Sequence, residues 1–228
     1  MAGGPRVVDN TRRRKGKPGA KRVLRSDSAI TRQRVLDAAI ECILENGYYK
    51  TSSNEIARRA GVTWGALQYQ FGTREALLLE VVHDRWQQQE HLVAAAEVAG
   101  RSLEERLESV MKVLSERYGR PEELAHIQIL LDLAHNPEVS EGTRLAVARH
   151  QRKLVAIWRP LFEQALGDAA DDHLIHYAYN TIRGYLLGGV ISKGIANPRN
   201  DRIARRLLIE GLAATIRAEA KKAGKSVP

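Results

Sequence analysis

A short run between Gly61 and Gly72 has side chains suited to contact with a nucleic acid. Thr63 can cap a helix there, and Leu67 and Phe71, four positions apart, would both face inward. The opposite face would then present Trp64, Gly65, Ala66, Gln68 and Tyr69. Glycine and alanine permit close approach of a helix backbone to DNA, an alanine methyl can contact a thymine methyl, and glutamine can pair with adenine. The run predicts a short DNA-contacting helix. The alternative is an ordinary three-helix bundle with incidental surface aromatics.

Two preceding elements must position this helix. Ser52, followed three residues later by Glu55, forms a capping box that predicts a second short helix ending at Gly61. An apolar stripe that starts near Thr31 predicts a longer helix, which Asn46 and the following glycine end. Two short helices joined by a tight turn have the dimensions of a helix-turn-helix unit.

Helix N-termini supply the second kind of DNA contact, because their free N–H groups and positive dipole ends favour phosphates. Three such N-termini are expected, after Ser52, Thr63 and Thr73, and Arg74 adds a full charge at the third. The residues expected to contact DNA are Ser53, Asn54, Thr63, Trp64, Gly65, Ala66, Gln68, Tyr69 and Arg74.

The runs Thr51–Ala57 and Ala60–Leu78 resemble the DNA-binding signature of the TetR family of one-component transcriptional regulators. Similar proteins close the recognition helix with Leu-Tyr-x-His-Phe, whereas this chain has Leu67-Gln68-Tyr69-Gln70-Phe71, so Gln68 and Gln70 depart from the pattern. The resemblance covers about fifty residues. It implies a helical ligand-sensing domain after the helix-turn-helix and a homodimer formed by the last two long helices.

The rest of the chain also has a helical pattern. Thr73 caps a long helix expected to reach about Gly100, and capping and breaking residues beyond it mark five more helices without a strand signal. The expected fold is all-α with about nine helices: an N-terminal three-helix helix-turn-helix domain, a long connecting helix, and a C-terminal helical ligand-binding and dimerisation domain. The expected boundaries are 1–28 for a disordered basic arm, 29–89 for the DNA-binding domain and 90–228 for the effector-binding and dimerisation domain.

Positive charge is concentrated at the N-terminus. The 228 residues carry 36 Lys and Arg against 27 Asp and Glu, a formal net charge of +9, and residues 1–25 hold nine basic residues against Asp9. Low apolar content and several glycines in this segment predict disorder. The basic residues expected to contact nucleic acid are Arg12, Arg13, Arg14, Lys15, Lys21 and Arg22. An acidic membrane surface is the other candidate target, and a merely solubilising arm is the simplest alternative.

A G-x-x-x-G spacing at Gly184 and Gly188 indicates close helix contact, because each glycine inside a helix costs about 1 kcal/mol relative to alanine. A partner helix from a second subunit is the favoured interpretation, and packing within one subunit is the alternative. The expected dimer residues are Gly184, Gly188, Leu207, Leu208 and Leu212.

A ligand-sensing domain needs a pocket between its helices, with a few polar groups in an apolar wall. The candidates are Trp86, His126, Trp158, Tyr177, Asn180 and Arg183, and the effector is a small molecule of unknown class. Effector binding is expected to move the long fourth helix and so to change the spacing of two DNA-binding domains.

Signals for catalysis or metal binding are weak. Gly224-Lys225-Ser226 resembles the end of a phosphate loop, but Glu219 stands where the first glycine belongs, and His173 and His176 form at most a two-ligand pattern. We therefore expect no catalytic site, no metal site and no cofactor.

The single Cys42 cannot form an intramolecular disulfide and favours a cytoplasmic location, and no apolar run is long enough to span a membrane. The sequence thus predicts a sequence-specific DNA-binding regulator, a homodimeric repressor released from a palindromic operator by a small-molecule effector. The alternative is a nonspecific nucleic-acid or anionic-membrane binder that is driven by the basic arm and uses the helical body as a dimerisation scaffold.

Overall fold

The computed structural model describes the backbone of residues 18–192 and 198–228, and the side chains of residues 29–192 and 201–228. These residues form helices and no strand. The α-helices are α1 (Pro18–Asn46), α2 (Ser53–Ala60), α3 (Trp64–Phe71), α4 (Arg74–Ala95), α5 (Leu103–Tyr118), α6 (Glu122–His135), α7 (Glu141–Leu166), α8 (Asp172–Ile191) and α9 (Pro198–Lys222). Two 3-10 helices, Tyr48–Lys50 and Gly167–Ala169, separate α1 from α2 and α7 from α8. The all-α fold class is confirmed.

The helix starts follow the capping residues in the sequence. Six N-cap side chains each accept a hydrogen bond from the backbone N–H three residues later: Ser52, Thr63, Thr73, Ser102, Ser140 and Asp171. Such a bond satisfies one of the free N–H groups in the first helical turn. Local side-chain chemistry therefore sets the start of these six helices, including the two of the helix-turn-helix.

The start of α1 differs from the expectation. The helix begins at Pro18, within the residues expected to form a disordered arm, and Lys21 and Arg22 lie within α1. Proline suits the first helical position because its missing N–H would be unpaired there, and alanine, lysine and arginine propagate a helix well. The predicted arm residues Arg12, Arg13, Arg14 and Lys15 lie outside the described residues.

Two apolar cores share the long helix α4. The first core joins α1, α2, α3 and the first half of α4 to α6, and it includes Leu67, Leu78 and Ile129. The second core joins α5, α7, α8 and α9. Trp86 lies in the first core and Val93 in the second. Because α6 packs into the first core, the helix-turn-helix rests on the larger domain. The domain division at residue 89 stays a prediction.

Candidate nucleic-acid interface

The turn between α2 and α3 is built on Gly61. Its φ of 65° and ψ of 36° lie in the left-handed region, which favours glycine. A Cβ at this position would lie 2.7 Å from Nη2 of Arg34, and the same Arg34 atom donates a hydrogen bond to the Ala60 carbonyl at 2.5 Å. The positive φ favours glycine here, whereas the Arg34 guanidinium, at the end of a flexible side chain, could move aside for a Cβ. This left-handed turn fixes the angle between α2 and α3.

α3 buries one side and exposes the other. Leu67 is 2% exposed and Phe71 is also buried, whereas Trp64 is 54% exposed and Tyr69 is 94% exposed. Gly65, Ala66 and Gln68 are exposed on the same outer surface. An added Cβ at Gly65 would find no atom within 4 Å. The five side chains that were expected to face DNA therefore all reach solvent, and they are held there by two buried anchors.

Backbone N–H groups at the start of α2 and α3 flank this surface. Asn54 is exposed and Ser53 is half-buried in the first turn of α2. Thr63 Oγ1 accepts the N–H of Ala66 at 3.1 Å, which leaves the first N–H groups of α3 for another acceptor. The arrangement suits phosphate oxygens at two neighbouring helix N-termini.

Basic side chains around this surface are mostly engaged. Arg58 pairs with Glu55 at 2.7 Å, and Arg59 pairs with Glu45. Lys50 is exposed at the end of the 3-10 helix, close in sequence to the start of α2, and forms no ion pair with a described residue. Lys50 was not among the predicted contact residues, although a basic residue two positions before the N-cap Ser52 is a local signal for it.

Arg74 packs on the 3-10 helix Tyr48–Lys50. Its Cζ lies 4.5 Å from the centroid of the Tyr48 ring, and its guanidinium donates hydrogen bonds to the hydroxyl and to the carbonyl oxygen of Tyr48, at 3.2 and 3.1 Å. Sequence reasoning placed this charge at a phosphate because Arg74 opens α4. In the structure the aromatic ring draws the guanidinium onto the 3-10 helix, and its DNA contact stays a prediction.

The six effector-pocket candidates fall into two groups. Trp86, His126 and Trp158 are buried, and Arg183 is half-buried with its Cζ 5.4 Å from the centroid of the Tyr118 ring. Tyr177 and Asn180 are exposed on the outer face of α8. The structure therefore does not bring Tyr177 and Asn180 to the other four, because their positions on α8 turn them away from the second core.

The dimer candidates also separate. Gly184 and Gly188 are exposed on the same face of α8 as Asn180, and Leu207 is 56% exposed on α9. Leu208 is half-buried. Leu212 is 1% exposed within the second core, which corrects its assignment to the interface. Its place on α9 points it at its own subunit.

No described helix is both long enough and apolar enough to cross a membrane. Within residues 29–192 and 201–228, no three His, Cys, Asp or Glu side chains come together in a way that could hold a metal ion. His173 and His176 lie exposed on α8.

Comparison with known proteins assigns the helix-turn-helix region to a family. Residues 35–81 match the family described as bacterial regulatory proteins, tetR family. The HTH-type transcriptional regulator SrpR of Pseudomonas putida is 27% identical over 133 residues, which cover 55% of this chain and 61% of SrpR, somewhat under two thirds of that protein. The HTH-type transcriptional regulator LmrA of Bacillus subtilis is 24% identical over 163 residues, which cover 71% of this chain and 85% of LmrA.

Solved structures share the fold over most of the chain. A transcriptional regulator from Rhodococcus sp. Rha1 superposes with a TM-score of 0.61 at 20% identity and covers 79% of this chain and 95% of its own. FadR from Bacillus subtilis, solved in complex with stearoyl-CoA, superposes with a TM-score of 0.53 at 18% identity, covering 79% of this chain and 97% of its own. Residues 35–81 therefore carry a helix-turn-helix of the tetR family of bacterial regulatory proteins, and the chain shares the all-helical architecture of these solved structures.

Proposed function

We propose that the protein is a sequence-specific DNA-binding transcriptional regulator that reads the major groove with α3. One observation carries the proposal: α3 exposes Trp64, Gly65 and Tyr69 while Leu67 and Phe71 anchor it from beneath. A short helix with small residues at its centre fits a major groove, and the flanking helix N-termini fit phosphates. Ser53, Asn54, Thr63, Ala66 and Gln68 complete the proposed DNA-contacting set, with Lys50 added from the structure.

We infer a homodimer joined through the outer faces of α8 and α9. One short recognition helix discriminates weakly, whereas two of them sample half-sites about one helical turn or more apart on a near-palindromic operator. The outer face of α9 carries the exposed Ile203, Leu207 and Gly211, and that of α8 carries Gly184 and Gly188, where an added Cβ would meet no atom within 4 Å. Small and apolar residues on two adjacent faces support close packing of a second copy.

We infer that the protein is a repressor and that a small-molecule effector releases it. The larger domain shares its fold with FadR of Bacillus subtilis, which holds stearoyl-CoA. Because α4 starts directly after α3 and ends in the second core, a shift of α4 would change the separation of the two recognition helices. A coupling of about 1 to 3 kcal/mol between effector and operator is typical of such linkage.

Selection of bound duplexes from a random pool at physiological salt tests the DNA-binding proposal. We expect one near-palindromic sequence to be enriched and to bind at least about 10³-fold more tightly than bulk DNA. A pool without an enriched motif would contradict sequence-specific recognition.

The basic N-terminus favours a second candidate function, nonspecific binding to nucleic acid or to an anionic membrane. Nine basic residues in residues 1–25 supply the charge for it. Polycation-driven binding shows little preference among sequences and weakens steeply with salt. Competition of the selected duplex against bulk DNA and against anionic vesicles separates the two candidates, because only a sequence-specific regulator retains the duplex.

A further inference from the structure

A groove between α6 and α7 has an aliphatic wall. Its cavity volume is about 400 Å³, within the range of sites for small organic molecules. The apolar part of the wall consists of Ile127, Leu130, Leu131, Ala134, Val147 and Ala148. Of its lining side chains only the His135 imidazole is aromatic, so the groove suits an aliphatic body better than a large flat ring.

A cation from a third helix faces this groove. Arg183 of α8 lines it, and its Nε is buried without a hydrogen-bond partner. Among the described residues, no carboxylate lies within ion-pair distance of Arg183, whose guanidinium packs over the Tyr118 ring. The other arginine of the groove, Arg144, is already engaged, because it donates hydrogen bonds to backbone carbonyls in the turn between α6 and α7, including that of Val139 at 2.5 Å.

The surroundings of Arg183 offer it no counter-charge. Arg117 also packs on the Tyr118 ring, with its Cζ 5.0 Å from the centroid, and it forms an ion pair with Glu123. Desolvation and the neighbouring Arg85 lower the pKa of Arg117 to about 9. Desolvation and the same two arginines hold the pKa of His126 well below its ordinary value, so His126 is neutral at pH 7. Two guanidinium groups thus share the Tyr118 ring, and the one buried carboxylate beside them, Glu123, pairs with Arg117.

A partly buried cation without a partner is costly, and a carboxylate held by an arginine forms short, charge-assisted hydrogen bonds. We propose that this groove is the effector site and that it binds an aliphatic carboxylate, with the carboxylate on Arg183 and the hydrocarbon along Leu130 and Val147. The proposal rests on the proposed effector-responsive function and names the ligand class for it. Arg183 supplies selectivity for charge, and the aliphatic wall supplies most of the buried area.

Binding of three probes that share one hydrocarbon chain tests this directly: octanoate, octanamide and octylammonium, measured by titration calorimetry on the full chain. We expect octanoate to bind about 10-fold or more tightly than octanamide, and octylammonium to bind most weakly. Arg183→Gln should remove the difference between octanoate and octanamide. Arg101→Gln, which changes an exposed arginine of the α4–α5 connection that does not line the groove, should preserve it.

A second variant keeps the charge and fills the groove. Ala148 is exposed on the groove wall, so Ala148→Trp should fold normally and weaken octanoate and octanamide together. Octanamide binding as tightly as octanoate, a carboxylate preference that survives Arg183→Gln, or no octanoate binding at about millimolar concentration would each overturn the proposal.

The duplex selected from the random pool separates this inference from the proposed function. Octanoate that binds through Arg183 and weakens operator binding supports both. Octanoate that binds through Arg183 without changing operator affinity supports the carboxylate site and contradicts its role as the effector site. Operator binding that is intact while octanoate fails to bind leaves the DNA-binding function standing and overturns only the ligand class.

Discussion

Tyr48 and Asp132 join the helix-turn-helix to α6 across 84 positions of sequence through a hydrogen bond of 2.5 Å. The Tyr48 hydroxyl donates to Oδ2 of Asp132, while Arg74 donates to the same hydroxyl from the start of α4. Burial, and next the hydrogen bond to Asp132, raise the pKa of Tyr48 to about 12, so the hydroxyl keeps its proton at neutral pH. One side chain thus connects the 3-10 helix, α4 and α6.

Tyr48→Phe removes both hydroxyl contacts and keeps the ring under Arg74. We expect the free energy of unfolding to fall by about 1 to 3 kcal/mol, because a charged acceptor and a charged donor both lose their partner. Urea unfolding measures it. Tyr49→Phe is the matched control, since the Tyr49 ring is exposed, and it should change the free energy by less than about 0.5 kcal/mol. Equal stability of the two variants would show that the link contributes nothing.

Sequence patterns predict the helix-turn-helix well because the signals there are local. Thr63 and Leu67 fix the start and the buried face of α3 within one or two turns. The pairing of Tyr48 with Arg74 and Asp132 depends on tertiary contacts, because these partners lie 26 and 84 positions away in the sequence. No local sequence pattern predicts it. The exposed position of Tyr177 could not be predicted for a related reason: an aromatic residue with a hydroxyl suits either face of a helix, so composition alone does not orient it.

The start of α1 could not be predicted from composition, because a high density of basic residues is typical both of a disordered arm and of a helix. The basic residues of 18–28 resemble a disordered arm in composition, yet lysine, arginine and alanine are also good helix formers. The N-caps of α2, α3 and α5 were found because a capping side chain lies three residues from its backbone partner.

Gly65→Ala should separate fold from function. The added methyl meets no atom within 4 Å, and alanine favours a helix interior by up to about 1 kcal/mol, so we expect a stability that is unchanged or higher. The same methyl would stand between α3 and the base edges and weaken operator binding about 10-fold or more. Gly142→Ala, on the first turn of α7 with equally open space, is the control and should leave operator binding unchanged. Wild-type operator affinity in Gly65→Ala would contradict close approach at this position.

Leu207→Glu should produce a folded monomer. Leu207 is exposed on α9, so a carboxylate is tolerated in the free subunit but is costly in an apolar interface. Analytical ultracentrifugation should show half the wild-type mass, and circular dichroism should show full helicity. Leu212→Ala is the counterpart, because it leaves a cavity in the second core and should lower the free energy of unfolding by about 2 to 5 kcal/mol. A Leu207→Glu protein that stays dimeric would place the interface elsewhere.

Removal of residues 1–17 should flatten the salt dependence of DNA binding. Each phosphate contact that is lost changes the slope of log K against log salt by about 0.9. This segment carries Arg12, Arg13, Arg14 and Lys15, and the deletion leaves α1 intact. Fluorescence anisotropy on the selected duplex across a range of salt concentrations measures the slope. An unchanged slope would mean that these basic residues do not contact DNA.

The buried His126 should make the protein less stable in acid. It is 1% exposed, and desolvation, then the charges of Arg117, Arg85, His150 and Arg183, hold its folded-state pKa well below the value of about 6.5 for an unfolded chain. Desolvation also lowers the pKa of His150 to about 3, with His83, Lys153 and Arg117 adding to the effect.

As the pH falls, the His126 imidazole takes up its proton in the unfolded state before it does so in the folded state. The stability that neutral His126 contributes is therefore complete above about pH 6.5. It is lost on acidification by up to about 1.4 kcal/mol per pH unit until the folded-state pKa is reached. Urea unfolding at pH 7.5, 6.5 and 5.5 should therefore show a free energy of unfolding that falls with pH in the wild type. The His126→Phe variant should show a smaller fall over the same range. His91→Asn, which changes an exposed histidine of α4, should retain the wild-type slope. If the free energy of unfolding changed with pH equally in His126→Phe and in the wild type, His126 would bind its proton equally in the folded and unfolded states. That result would contradict the burial of His126 as a neutral group beside three arginines.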